Sequence, residues 1–282
     1  MAVNPPPRIK IAQKCQCLSN NISLKALYLA STTLNLPNAL QSLGCPYPPL
    51  PGSAFCKQHK DTCPYASPLS GYEPRYDPKL WNSKKELRET HNCFAYAMNI
   101  IDPKQIMNCL SSGDCGFHQP GAASGREGFN SSRPKTCPDM LTRILGDNPS
   151  IKRTTFLEKC PARTSKIALV VDEDEDYHFL RQDADGWWSQ KGGAKPVVKV
   201  DASNRPIWNP ELADHNWTNA SGKLDYDRFC GYMCIPRKIK NVDLRLKIST
   251  GGRRTKKNVV SRARQSKKYH VRQTRRYQGR KV

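Results

Sequence analysis

KIALVVDEDEDYHFLRQDADGWWSQK, residues 166–191, constrains the fold more than any other stretch. It holds three apolar, β-branched or aromatic segments of strand length, separated by an acidic turn (DEDED, 172–176) and by DADG. Short runs of that composition between turn signals read as strands. Asp185-Gly186 between two of them is a hairpin signal, because Gly supplies the positive φ that a tight turn needs. PVVKVD (196–201) and FCGYMCIP (229–236) read as further strands. Upstream the period changes. Phe94, Ala97, Met98 and Ile101 fall at i, i+3, i+4 and i+7, which predicts a helix over 83–101, ended by Asp102-Pro103. PDMLTRILGD (138–147) predicts a second helix, with Gly146 near its end. The expected fold is α+β, a helix packed on an antiparallel sheet, in one domain over residues 83–236.

The flanking regions are of another kind. Residues 1–40 form an N-terminal arm, in which ISLKALYLASTTLNL suits one helix or an extended packing segment. Residues 41–82 are rich in proline and turn signals and predict a small loop-rich module with a connector. Residues 237–282 form a basic tail. The formal charge is +22, and 251–282 hold 13 Lys/Arg with no Asp or Glu, leaving 22 − 13 = +9 for the rest. Arg253, Arg254, Lys256, Lys257, Arg262, Arg264, Lys267, Lys268, Arg272, Arg275, Arg276, Arg280 and Lys281 therefore point to nucleic acid or an acidic protein surface as partner. Tyr269 and Tyr277 among them suit stacking on bases.

No 18-residue apolar run predicts a transmembrane helix. MAVNPPPRIKIAQKCQC lacks the apolar centre of a signal peptide, so secretion by that route is not expected. On that ground the twelve cysteines are expected reduced, serving metal sites or cores rather than disulfides. The sequons at Asn21, Asn130, Asn216 and Asn219 then read as chance matches. Cys45-x10-Cys56-x2-His59-x3-Cys63 places four soft donors within nineteen residues, a spacing that suits tetrahedral zinc. Structural zinc can contribute on the order of 10–16 kcal/mol to segments too small to fold on apolar burial. Cys15-x-Cys17 is a weaker pair that needs partners from elsewhere. Cys109, Cys115, His118 and Cys137 are a second, less favoured set. Cys230 and Cys234, four apart in a strand, are expected on one face of the core.

Cys93 follows Thr90 and Asn92, either of which can cap a helix beginning there. A thiol at a helix start is expected to have a lowered pKa, and nearby amides could hold an oxyanion. The same apolar surroundings equally suit a buried core thiol. His178, on a strand beside a tight turn, is the candidate base. Gln190 returns near its level across the turn and can orient the imidazole, with Asp183 or Asp201 as substitutes. Asn92 and Gln119 are candidates for oxyanion or substrate support. His91 is expected to face solvent or to cap. Of Trp187 and Trp188, one is expected in the core and the other at a cleft or interface.

Taken together, HNCFAYAMN, HQPG and DYHFLRQDADGWWSQKGG resemble the NlpC-type branch of the papain-like cysteine peptidases, over about residues 85–235. Such domains occur in bacteria, phages and large DNA viruses. The resemblance implies a papain-like fold with Cys93 as nucleophile, His178 as base and Gln190 where the branch often carries histidine. It implies hydrolysis of an amide or ester through an acyl-thiol, in a virion or at a viral assembly site in host cytoplasm. The alternative it implies is a minor capsid protein that uses the domain as scaffold, with capsid proteins as partners. The Cys–Cys-x2-His–Cys spacing is also similar to short modules of large DNA viruses.

Overall fold

The computed structural model describes residues 14–19, 43–113, 115–129, 134–218 and 223–237. The chain divides into two units, Met1–Asp243 and Leu244–Val282. The second unit, with the basic-tail residues named above, lies outside the described residues, as do most of the 1–40 arm and Asn21, Asn130 and Asn219.

Among the described residues five helices precede the sheet: α1 (Pro78–Asn82), α2 (Lys85–Thr90), α3 (Cys93–Met98), α4 (Pro103–Ser112) and α5 (Cys137–Asp147). The helix expected over 83–101 is broken at His91-Asn92. His91 is extended, and the Asn92 side chain accepts from Ala95 N–H to start a new helix. Asn99 ends α3 in the left-handed region at φ 57°. Two buried arginines then donate to carbonyls of the last turn of α3, of which Tyr96 O also accepts from the Asn99 N–H. Arg237 donates to Ala97 and Met98, and Arg181 to Tyr96. Asp102 caps α4 and Thr136 caps α5 in the same way.

The strands are β1 (Lys152–Thr154), β2 (Thr164–Asp172), β3 (Asp176–Gln182), β4 (Trp188–Lys191), β5 (Val197–Val198) and β6 (Arg228–Pro236). They form one antiparallel sheet in the order β1-β6-β2-β3-β4-β5. The α+β class expected from sequence therefore holds. β2 is buried along nearly its whole length, because both sheet faces are covered. On one face Phe94, Ala97, Met140 and Ile144 meet Ile167, Leu169, Phe179 and Met233. On the other Ala168, Val170, Leu180 and Trp188 meet Ile207, Leu212 and Tyr226. Each of the Val, Leu, Ile, Phe and Met side chains so removed from water contributes about 1.5–3 kcal/mol.

The β2–β6 register slips between Leu169 and Val170, and Gly231 sits there at φ 116°, a conformation that favours glycine. This bulge overturns the expectation that Cys230 and Cys234 share a face. Cys230 joins the helix-side core and bonds Cys137, whereas Cys234 bonds Cys160. Two further disulfides are Cys17–Cys63 and Cys109–Cys115. The expectation of reduced cysteines is thus wrong for eight of the twelve. It rested on the absence of a leader pattern, whereas folding brings these pairs to Cα separations of 4.5–5.6 Å, within disulfide reach. The second metal set, Cys109, Cys115, His118 and Cys137, is excluded for the same reason: its three cysteines are all in disulfides.

Candidate active site and metal-ligand cluster

β4 stops at Lys191, and continuing its register with β3 would put Gly192 opposite His178. Beyond that point, among the described residues, no strand lies beside this edge of β3. A cavity of about 790 Å³ opens there, lined by Cys93, His178 and Gln190 among others. Side chains alternate along β3. Tyr177 and Phe179 pack with Cys93 on the helix side, while His178 lies on the other side against Tyr226, ring centroids 5.3 Å apart. Cys93 reaches the cavity at the sheet edge, its Sγ 3.9 Å from the Tyr177 carbonyl. The sulfur's hydrogen bond therefore goes to Tyr177 rather than to His178.

The imidazole is oriented through a chain of hydrogen bonds. Gln190 Nε2 donates to the Val200 carbonyl at 2.6 Å. A carbonyl can only accept, so the amide oxygen must turn toward the ring, 2.7 Å from His178 Nε2. Nε2 then carries the proton and Nδ1 is left as the acceptor. Of the expected substitutes, Asp183 pairs with Arg181 and Asp201 with Arg205. Gln190 does the orienting.

Burial pushes His178 down to about 4, with the charge of His215 adding to the effect and the Gln190 bond opposing it. Burial, and after it the charge of Asp176, pushes the Cys93 thiol up to about 12. The lowered thiol pKa expected of a helix start is not found. α3 is only six residues long, and desolvation outweighs what its amides and Lys191 offer. The resting site holds a neutral thiol and a neutral imidazole.

Neighbouring residues complete the cavity wall. Asn92 donates to the His118 carbonyl and to Tyr177 Oη, and Tyr177 Oη donates to Gln119 Oε1. Both Asn92 and Gln119 line the cavity. His91, expected at the surface, is fully buried. Its Nε2 accepts from Asp102 N–H, so Nδ1 carries the proton toward Thr90 Oγ1, 2.7 Å away. Burial, then His118, pushes it down to about 4. It is a neutral structural group. The acidic run forms the β2–β3 turn, and only Asp176 of it lines the cavity. Trp188 is in the sheet core, while Trp187 packs with Phe55 and Trp208 beside the N-terminal cysteines.

That cysteine cluster differs from the expected one. Cys63 is bonded to Cys17 and cannot be a ligand. Its place is taken by Cys15, so that Cys15, Cys45, Cys56 and His59 present donor atoms all within 4.8 Å of one another, and all four residues are buried. This set could hold a metal ion. Cys15, read from sequence only as half of a weaker pair needing partners from elsewhere, finds them because its segment, 14–19, pairs with 43–45 through the Leu18–Gly44 bridge and the Cys45 N–H to Cys17 O bond. Between Cys15 and Cys17, buried Gln16 donates to Asp201 and Pro206 and accepts from the Trp208 and Asn209 amides.

Fold and site thus define an antiparallel α+β protein, cross-linked by disulfides, with a cysteine and an amide-oriented histidine on one cavity. No family model matches the chain, and no solved structure matches it. It is 35% identical over 162 residues to insoluble matrix shell protein 1 of Ruditapes philippinarum, a match covering 57% of this chain and 89% of that protein. The chain belongs to the family of that protein. Among the described residues no helix is long and apolar enough to cross a membrane.

Proposed function

We propose that the chain is a papain-like cysteine hydrolase that cleaves an amide or ester bond, with Cys93 as nucleophile, His178 as base and Gln190 as orienter. The observation that carries this reading is the Val200–Gln190–His178 chain, which leaves Nδ1 unprotonated on a histidine that lines the same cavity as Cys93. With a thiol near 12 and an imidazole near 4, the attack is general-base catalysed rather than begun by a standing thiolate. Rotation of Cys93 about χ1 takes the sulfur off the Tyr177 carbonyl. Sγ then bonds the substrate carbonyl carbon as its proton passes to Nδ1. The imidazolium, held at Nε2 by Gln190, returns that proton to the departing amine or alcohol. Water, deprotonated by the same Nδ1, releases the acyl group as an acid and restores the thiol. Phe117, Phe129, Val198, Trp217 and Leu224 make most of the wall apolar, which suits an apolar acyl group.

For the setting we propose an oxidising compartment outside the cell, in place of the virion or host cytoplasm of the sequence reading. Four disulfides and the relative's name support it. The same two observations favour a second reading, a structural component of an insoluble matrix that keeps the cavity without using it. In either reading the 251–282 segment is an arm for an acidic partner, an assignment resting on its 13 basic residues.

Labelling with an acyl-type thiol probe separates the two. The hydrolase reading expects labelling of the wild type, none of Cys93→Ala, and a loss of 10²-fold or more in His178→Ala, about the smallest effect of removing a general base. Equal labelling of wild type and His178→Ala leaves the matrix reading.

A further inference from the structure

We propose that Cys15, Cys45, Cys56 and His59 are the ligands of a structural zinc ion. Zinc bonds of about 2.3 Å to sulfur and 2.0–2.1 Å to nitrogen, at tetrahedral angles, require edges of roughly 3.8 Å between sulfurs and roughly 3.6 Å between sulfur and nitrogen. The structure gives 3.6 Å for Cys45 Sγ to Cys56 Sγ, 3.4 Å for Cys56 Sγ to His59 Nδ1 and 3.3 Å for Cys15 Sγ to His59 Nδ1. Three of the six edges are thus close to those of a zinc tetrahedron, and all four donor atoms lie within 4.8 Å of one another. Nδ1 is the ring atom in every one of these contacts, so a single imidazole orientation serves the whole set.

Redox chemistry supplies a second, independent argument. Cys17 and Cys63, next to this cluster, are oxidised, as are six other cysteines. Three thiols nevertheless persist here, two of them with sulfurs 3.6 Å apart. Where eight cysteines have paired, an adjacent thiol pair left alone calls for something that holds both sulfurs as thiolates. A thiophilic ion with full tetrahedral coordination does this, and it accounts for the odd count of three. Zinc fits because it needs no redox change and accepts three thiolates and one imidazole in a closed site.

The test is metal content of the purified full-length chain, with thiol mapping by mass spectrometry. About one zinc per chain is expected in the wild type, with Cys15, Cys45 and Cys56 resisting alkylation until a chelator is added. Cobalt(II) in its place should give the intense visible bands of a tetrahedral, thiolate-rich site. Cys63→Ser breaks the neighbouring disulfide yet keeps the metal, whereas Cys15→Ser and His59→Ala lose at least tenfold in zinc affinity. Should the single variants fail to fold, chelation and cobalt titration of the wild type decide alone. A Cys45–Cys56 disulfide in freshly purified protein, or zinc lost from Cys63→Ser and retained by Cys15→Ser, overturns the assignment.

Discussion

At the Cys93 cavity a sulfur and an imidazole share about 790 Å³ of open space, and each has its hydrogen bond elsewhere. At the N-terminal cluster three sulfurs and an imidazole are pressed to contacts of 3.3–3.6 Å. Both sites are buried, and both use the residue types that serve either catalysis or coordination. What separates them is the ring's second nitrogen and the room beside it. His178 has Nε2 held by an amide and Nδ1 left over for a proton. His59 turns Nδ1 toward two sulfurs. Burial alone therefore does not tell the two sites apart; the direction of each imidazole's bonds does.

The comparison is sharpened most by His178→Ala, expected to lower Cys93-dependent turnover by about 10²–10⁴-fold while leaving bound metal per chain unchanged. Parallel assays of hydrolysis and metal content read both. A fall in metal content would join the two sites into one.

The next effect is on stability against pH. Folded His178 lies near 4, and unfolded histidine lies near 6.5. Between those values the unfolded chain takes up a proton that the folded chain refuses. The stabilisation is full above pH 6.5 and is lost as pH falls through 4, about 3 kcal/mol in all for this one group. Denaturant melts from pH 7 to pH 4 should show this acid limb, flattened in His178→Gln. His91, also near 4, adds a limb of the same sign that His91→Gln would remove.

A smaller change is expected in Gln190→Ala, which frees the imidazole to carry its proton on either nitrogen. The loss of one neutral hydrogen bond, about 0.5–1.5 kcal/mol, corresponds to roughly a two- to tenfold fall in kcat. Gln190→His should restore much of it, since imidazole can again accept from Nε2–H. Smallest is Asn92→Ala, where losing the α3 cap costs about 1 kcal/mol of stability by thermal melting. A cost near zero would show that Arg181 and Arg237 alone hold α3 in place.

Five of the six strands were legible because apolar composition and the Asp185-Gly186 turn are local signals, and that turn brings Gln190 back within reach of His178, although the register sets it opposite Leu180. Three features were not legible. The break at His91 depends on the buried partners Thr90 and Asp102. The bulge at Gly231 depends on how β6 meets β2, and it sends Cys230 to another partner than its spacing suggests. The substitution of Cys15 for Cys63 depends on two segments meeting across a long interval, which spacing within nineteen residues cannot express. The thiol pKa failed for a related reason. Helix starts are visible in sequence, but the depth at which a helix start is buried is not.

Gln16 has a consequence for how the molecule would come apart. Its two neighbours in the chain are fastened by different chemistries, Cys17 by a disulfide and Cys15 at the metal-ligand cluster. Its own side chain reaches Asp201, beside the Val200 carbonyl that holds Gln190. With the proposed zinc bound, a reductant would free only the Cys17 flank and a chelator only the Cys15 flank, so the segment beside Val200 keeps one fastening unless both are applied.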